Sequence, residues 1–174
     1  MGRGGWFVVG GVALLLIGAG GLFVMSNDRM KGPRWTGLLP QMKKDVLELL
    51  NRARAAGLDV MFYDGWRSPA QEKKYESKGT SALHDPYNNY HTWGAAADIV
   101  FKNSLGEPYW PHESDPRWQQ LGAIGKSLGL FWGGDWPHLH DMAHFQLRSV
   151  HVATLREQYG TDYKSWLTSQ GATV

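Results

Sequence analysis

Two short segments of this chain concentrate the side chains that could do chemistry. The first is His91-Thr-Trp-Gly-Ala-Ala-Ala-Asp98; the second runs from Trp132 to Gln146 and carries His138, His140, Asp141 and His144. Hydrolytic zinc sites take three protein ligands from His and Asp/Glu and keep one position open. His91, Asp98 and His144 would supply two imidazoles and one carboxylate, leaving Asp141 beside the metal to take a proton from water. A competing set exists, because His140 and His144 stand four apart, the spacing of one helix face. Pro137 and a period-2 pattern argue against a helix there. Each of these residues could instead be a hydrogen-bonded structural group. His84, His112 and His151 have no obvious partner and read as surface residues. The chain has no cysteine, which excludes thiolate zinc sites, cysteine nucleophiles and disulfide scaffolds together.

The elements around these segments place them on strands. In a strand over Ala96–Phe101, Ala96, Asp98 and Val100 share one face, so Asp98 emerges among alanines with room for a metal. In Ala143–Leu147, His144 and Gln146 share a face while Phe145 and Leu147 point the other way. Leu39, Met42, Val46, Leu49, Leu50 and Ala53 recur at helical spacing, so residues 40–56 form an amphipathic helix stopped by Gly57. Val60–Trp66 is a strand. Ser68-Pro69-Ala70-Gln71 then supplies an N-cap, a proline at the first helical position and a glutamine at the third, so a helix starts there. Residues 79–95 form a polar loop. Asp115-Pro116 caps a helix to about Leu128, and two further helices lie near 152–159 and 162–168. Strands and helices mix without a βαβ rhythm, which predicts an α+β fold with a small antiparallel sheet flanked by helices.

The 174 residues suffice for one domain plus a tail. Eighteen basic against sixteen acidic side chains argue against a nucleic-acid partner, and a monomer is expected. From Trp6 to Met25 the chain carries no charge, and a helix of that length spans about 30 Å, the thickness of a bilayer core. The expected organisation is a membrane anchor over 1–26, a linker over 27–36 and a catalytic domain over 37–174. Basic residues flank the apolar run on both sides, so charge does not choose its orientation, and Val24-Met25-Ser26 leaves cleavage as a signal peptide open.

Taken in order, the motifs resemble the M15 zinc peptidases of the cell wall. That family comprises VanY-type D-alanyl-D-alanine carboxypeptidases and phage L-alanyl-D-glutamate endopeptidases. The resemblance rests on His91-x6-Asp98 with Gly94 between them, on Asp141-x-x-His144-Phe-Gln146, on Tyr63-Asp-Gly-Trp-Arg67-Ser-Pro-Ala-Gln71 and on Trp132-Gly-Gly-Asp-Trp136. It covers roughly residues 36–150. It implies a hedgehog/DD-peptidase-like fold, zinc on His91, Asp98 and His144, Asp141 as catalytic base, and Arg67 at a substrate carboxylate or the developing oxyanion. Arg67 could otherwise cap a turn. Gln71, Asn89, Trp136 and Gln146 become candidates for substrate contact; Asn89 departs from the serine that the family usually has two residues before its first histidine. Trp93, Trp132 and Trp136 either wall a groove or fill the core. The implied activity is metal-assisted amide hydrolysis of the peptidoglycan stem peptide at the L-Ala–D-Glu bond. With the Gly-rich apolar segment, it suggests a phage endolysin held at the inner membrane with its catalytic domain in the periplasm and able to be released there. The alternatives are a D-alanyl-D-alanine carboxypeptidase and a zinc-stabilised wall-binding domain without catalysis.

Overall fold

The computed structural model describes residues 13–17, 21–25, 28–77 and 85–174. Its organising element is an antiparallel sheet built from β3 (Val60–Asp64), β4 (Ala96–Lys102), β6 (Leu130–Trp132) and β7 (His144–Leu147), in the order β3-β4-β7-β6. The short β5 (Pro108–Tyr109) pairs with the far end of β4. Helix α2 (Pro40–Ala55) lays Met42, Val46, Leu49, Leu50 and Ala53 against this sheet, the face expected from their spacing. Helix α4 (Pro116–Ser127) starts on an Asp115 carboxylate that accepts from the Arg117 N–H at 3.0 Å. It carries Gly122 and Gly125 where a Cβ would stand 2.4 Å from the Trp132 ring and 2.3 Å from Phe145. Each glycine costs about 1 kcal/mol of helix propensity, and in return two aromatic side chains lie flush on the helix. Helices α3 (Pro69–Ser77), α5 (Val152–Tyr159) and α6 (Tyr163–Ser169) complete the flanking layer. The expected α+β class with a small antiparallel sheet is what the chain adopts.

Strand β3 ends at Asp64, two residues before the expected Trp66, because the Trp66 N–H turns to the Arg34 carbonyl at 2.8 Å. The expected linker is also different. Residues 28–31 form a turn of 3-10 helix and Pro33–Thr36 a turn of α-helix (α1). Met30 is buried, Trp35 packs edge-on against Phe62 at 5.2 Å, and Arg34 pairs with buried Asp64 at 2.8 Å. An ion pair to a core carboxylate ties this stretch to the domain, which composition alone does not reveal.

The single helix expected over residues 6–25 does not appear among the described residues. β1 (Ala13–Ile17) and β2 (Gly21–Met25) pair antiparallel, with Ala13 opposite Met25 and Ile17 opposite Gly21. Leu, Ile, Val and Phe serve a strand at least as well as a helix, and glycines punctuating the run lower helix propensity. No helix among the described residues is long and apolar enough to cross a membrane. The remaining residues of the expected anchor, and residues 79–84 of the expected polar loop, lie outside the described ones.

Candidate metal centre

Register across three neighbouring strands builds the site. Asp64 on β3 stands opposite Asp98 on β4, and Asp98 stands opposite His144 on β7. His91 arrives from the turn before β4. His91 Nε2, His144 Nδ1 and Asp98 Oδ1 lie 3.2, 3.3 and 3.5 Å from one another. Ligands about 2.0–2.1 Å from a tetrahedral zinc are separated by about 3.3–3.4 Å. Three buried atoms therefore already occupy the corners of one face of such a tetrahedron.

The hydrogen bonds around these atoms turn their lone pairs inward. His91 Nδ1 donates to the Gly65 carbonyl at 2.7 Å, leaving Nε2 as the acceptor. His144 Nε2 donates to Gln146 Oε1 at 3.0 Å, leaving Nδ1 facing the cluster. Asp98 Oδ2 accepts from Arg67 Nη2. Asp98 Oδ1 has no hydrogen-bond partner although it is buried, and it is the only such side-chain atom among the described residues. A buried carboxylate oxygen without a donor costs stability; two imidazole lone pairs beside it make a cation the fitting partner. The residues fit a zinc ion.

Burial opposes ionisation of Asp98, yet His91, Arg67 and His144 outweigh it and hold the carboxyl well below its usual range. His144 is pushed down by burial but raised overall by the Asp98 carboxylate, 3.5 Å away. Burial, and then the Asp98 charge, raise Asp141 above an ordinary carboxylate. Asp141 is thus electrostatically part of the cluster without being among its ligands. Its backbone is pinned on both sides: the Asp141 N–H donates to the Gly133 carbonyl, and the Asp141 carbonyl accepts from the His144 N–H, each at 3.2 Å. Gly133 must be glycine for this, since a Cβ there would stand 2.5 Å from the Asp141 carbonyl oxygen and 3.1 Å from the His144 Cβ.

Arg67 is held by three carboxylates, one of them the candidate ligand Asp98. Its Nε donates to Asp64 Oδ2 at 2.9 Å, Nη1 to Glu72 Oε1 at 3.3 Å, and Nη2 to Asp98. Burial disfavours its charge, but the three carboxylates raise its pKa overall. Of the five N–H groups of a guanidinium, three are committed and two remain. Asp64, Glu72 and Arg34, none of them singled out from the sequence, are the other members of this buried ionic network. Asp64 and Glu72 flank Arg67 at −3 and +5, and that clustering of charge in a turn was the available signal.

The remaining candidates are placed as follows. Gln71 closes a capping box: Ser68 N–H donates to Gln71 Oε1 at 2.8 Å, and Gln71 N–H donates to Ser68 Oγ at 3.3 Å. Asn89 is buried between Glu72 and the His91 backbone. Gln146 holds His144 and also hydrogen-bonds Tyr90. Trp136 is half-buried with its ring 5.1 Å from His144, at the rim of the cluster. Trp93 and Trp132 belong to the core, with their indole N–H groups on the Tyr87 and Met142 carbonyls at 2.8 and 2.9 Å. The alternative His140–His144 pair does not form a helix face, because residues 137–141 are not helical and His144 begins β7. His112 and His151 are exposed; His84 lies outside the described residues.

An α+β sheet carrying two imidazoles and a carboxylate on its strands and turn, with a further carboxylate beside them, defines the site of a metal-dependent hydrolase. A family model described as D-alanyl-D-alanine carboxypeptidase, of the M15 peptidases, matches residues 84–147, the span holding all three candidate ligands and Asp141. The chain is 27% identical over 122 residues to the peptidoglycan L-alanyl-D-glutamate endopeptidase CwlK of Bacillus subtilis, covering 63% of this chain and 73% of that one. It is 29% identical over 125 residues to the L-alanyl-D-glutamate peptidase of Listeria phage A118, covering 72% of this chain and only 41% of the phage protein. Among solved structures, its fold is similar to the Serratia marcescens L-Ala D-Glu endopeptidase ChiX, with a TM-score of 0.52, 24% identity, and coverage of 68% of this chain and 85% of that one. The LdcB LD-carboxypeptidase matches with a TM-score of 0.52 and 14% identity, over 75% of this chain and 68% of that one. At these identities the two structures speak to the fold alone. Over residues 84–147 the chain resembles the M15 peptidases, and it is a metallopeptidase.

Proposed function

We propose that this metallopeptidase is a zinc-dependent peptidoglycan endopeptidase that hydrolyses the L-Ala–D-Glu bond of the stem peptide. The observation that carries the zinc reading is the orphaned Asp98 Oδ1 at tetrahedral-edge distances from two imidazole lone pairs. The choice of bond rests on the two sequence relatives, one named an L-alanyl-D-glutamate endopeptidase and the other an L-alanyl-D-glutamate peptidase. Zinc held by His91, Asp98 and His144 supplies Lewis acidity toward a scissile carbonyl and toward water. Asp141, raised from its ordinary value by burial and the Asp98 charge, is suited to accept a proton from the attacking water and return it to the leaving amine. Arg67 orients Asp98 and keeps two N–H groups for a substrate oxygen. Trp136 offers a flat apolar wall at the rim, where a stem peptide could lie.

The deciding experiment is digestion of purified sacculi with zinc-loaded and EDTA-stripped protein, followed by mass spectrometry. New amino-terminal D-Glu on the peptides, abolished by EDTA and restored by zinc, is the expected result. Free D-Ala with glycan-linked peptides intact would establish the second reading, a D-alanyl-D-alanine carboxypeptidase, which the description of the family model favours. Unchanged sacculi with tight zinc binding would leave a wall-binding domain. Peptidoglycan lies outside the inner membrane, so this substrate calls for delivery of the catalytic domain to the periplasm, where it would act in phage lysis. Fractionation of cells producing the full chain, with protease added to spheroplasts, tests that part.

A further inference from the structure

Glu72 is a buried carboxylate that takes no part in the reaction as drawn, yet it bridges the side chains that support two of the candidate ligands. It sits in α3, 3% exposed. Its Oε1 accepts from Arg67 Nη1 at 3.3 Å, and Arg67 in turn holds Asp98 Oδ2. Its Oε2 accepts from Asn89 Nδ2 at 2.8 Å, and Asn89 Oδ1 accepts the His91 backbone N–H at 2.9 Å. One side chain is therefore a single hydrogen-bonded residue away from each of two candidate ligands. Those ligands come from different elements, a turn and a strand.

We propose that Glu72 is a positioning residue that sets the His91–Asp98 geometry for the metal, through Asn89 on one side and Arg67 on the other. The proposal rests on the zinc reading above. Donor and acceptor polarity make it specific. Both neighbours present N–H groups to Glu72, because a guanidinium has no acceptor and Asn89 has its carbonyl committed to His91. Only a carboxylate accepts from both. A glutamine at this place can accept from Arg67 but then aims its own NH2 at the Asn89 NH2. Asn89 relieves that clash by flipping, which strips the His91 N–H of its acceptor. The position therefore distinguishes Glu from its isostere although volume and burial are unchanged.

The test compares wild type, Glu72→Gln and the double variant Glu72→Gln/Asn89→Asp, all as full chains. In the double variant the glutamine amide donates to the new carboxylate, which still accepts from the His91 N–H, so the polarity is matched again. Zinc affinity is read by chelator competition, and ligand geometry by the visible spectrum of the cobalt-substituted protein. Melting of the metal-free forms separates folding from positioning. The expected result is a zinc affinity about 10–100-fold weaker in Glu72→Gln, with an altered cobalt spectrum and a metal-free form that still melts cooperatively. The double variant should recover most of that affinity and the wild-type spectrum. Zinc binding in Glu72→Gln within twofold of wild type would overturn the proposal, as would a double variant no better than the single one. If Glu72→Gln fails to fold, recovery of both folding and zinc binding in the double variant supports the proposal, and recovery of folding without zinc binding overturns it. Wild type that binds neither ion overturns the zinc reading itself, and this inference with it.

Discussion

Replacing Arg67 by lysine preserves the charge and removes the fork, so it isolates what the guanidinium geometry contributes. In the wild type three carboxylates, on Asp64, Glu72 and Asp98, each take one donor from Arg67 while its side chain is only 14% exposed. An ammonium is a point charge on a flexible stem and cannot span three separate acceptors in one plane. Two of the three hydrogen bonds are lost. Each bond to a charged group contributes about 1.5–3 kcal/mol, but the loss falls at the low end of that sum because Asp64 keeps Arg34 at 2.8 Å and Glu72 keeps Asn89 at 2.8 Å. The expectation is a loss of about 3 kcal/mol, or a fall in Tm of about 6–12 °C for a domain of this size. Calorimetry and urea titration of the metal-free protein measure it directly. Adding zinc should narrow the gap, since a cation at the cluster compensates Asp98 where lysine does not. A loss below about 1 kcal/mol in the metal-free protein would refute the idea that the fork, rather than the charge, organises the buried acids.

Asp141→Asn should retain zinc and the fold while kcat falls by about 10²–10⁴, as read in a sacculus-release assay; full activity would remove Asp141 as the base. Gly133→Ala drives a methyl group into the Asp141 carbonyl at 2.5 Å, so it should lower kcat and Tm together; a variant with wild-type kcat would show that this loop gives way freely. The metal-free protein should be most stable between about pH 4 and 6.5. Asp98, depressed in the fold, contributes above its unfolded value near 4, and that contribution is lost as pH falls through its folded value. His144, raised in the fold, contributes fully below its unfolded value near 6.5 and ceases to as pH rises through its folded value; raised Asp141 acts in the same direction. Added zinc reverses the trend, because protons compete with the metal for His144, so the rise in Tm on zinc loading should grow from pH 5.5 to pH 8. Melting curves across that range check both slopes, and a metal-free Tm that climbs steadily to pH 8 would contradict them.

Residues whose roles are local were legible in the linear chain. The amphipathic spacing of α2, the capping box of Ser68 and Gln71, and the Asp115 cap all depend on neighbours within four positions, and each stands where its spacing put it. The candidate triad was legible for a related reason. Asp98 and His144 each lie on a short strand whose alternation declares a face, and the imidazole and carboxylate types declare a chemistry. The apolar run near the amino terminus was less decisive, since length and hydropathy suit a helix in lipid while the same residues also pair as strands.

What only the tertiary structure decided is the company these groups keep. Antiparallel register set Asp64, Asp98 and His144 side by side on three strands, although they are 34 and 46 residues apart in sequence. No periodicity encodes that, because strand pairing is chosen by the packing of whole faces. The same packing brought Arg34 to Asp64 and made Glu72 the bridge between Asn89 and Arg67. A buried charge must find its partners wherever the fold places them. The sequence alone therefore determined which residues could bind a metal and on which elements they sit; the fold determined which of their atoms face one another, and which buried acids and bases hold them there.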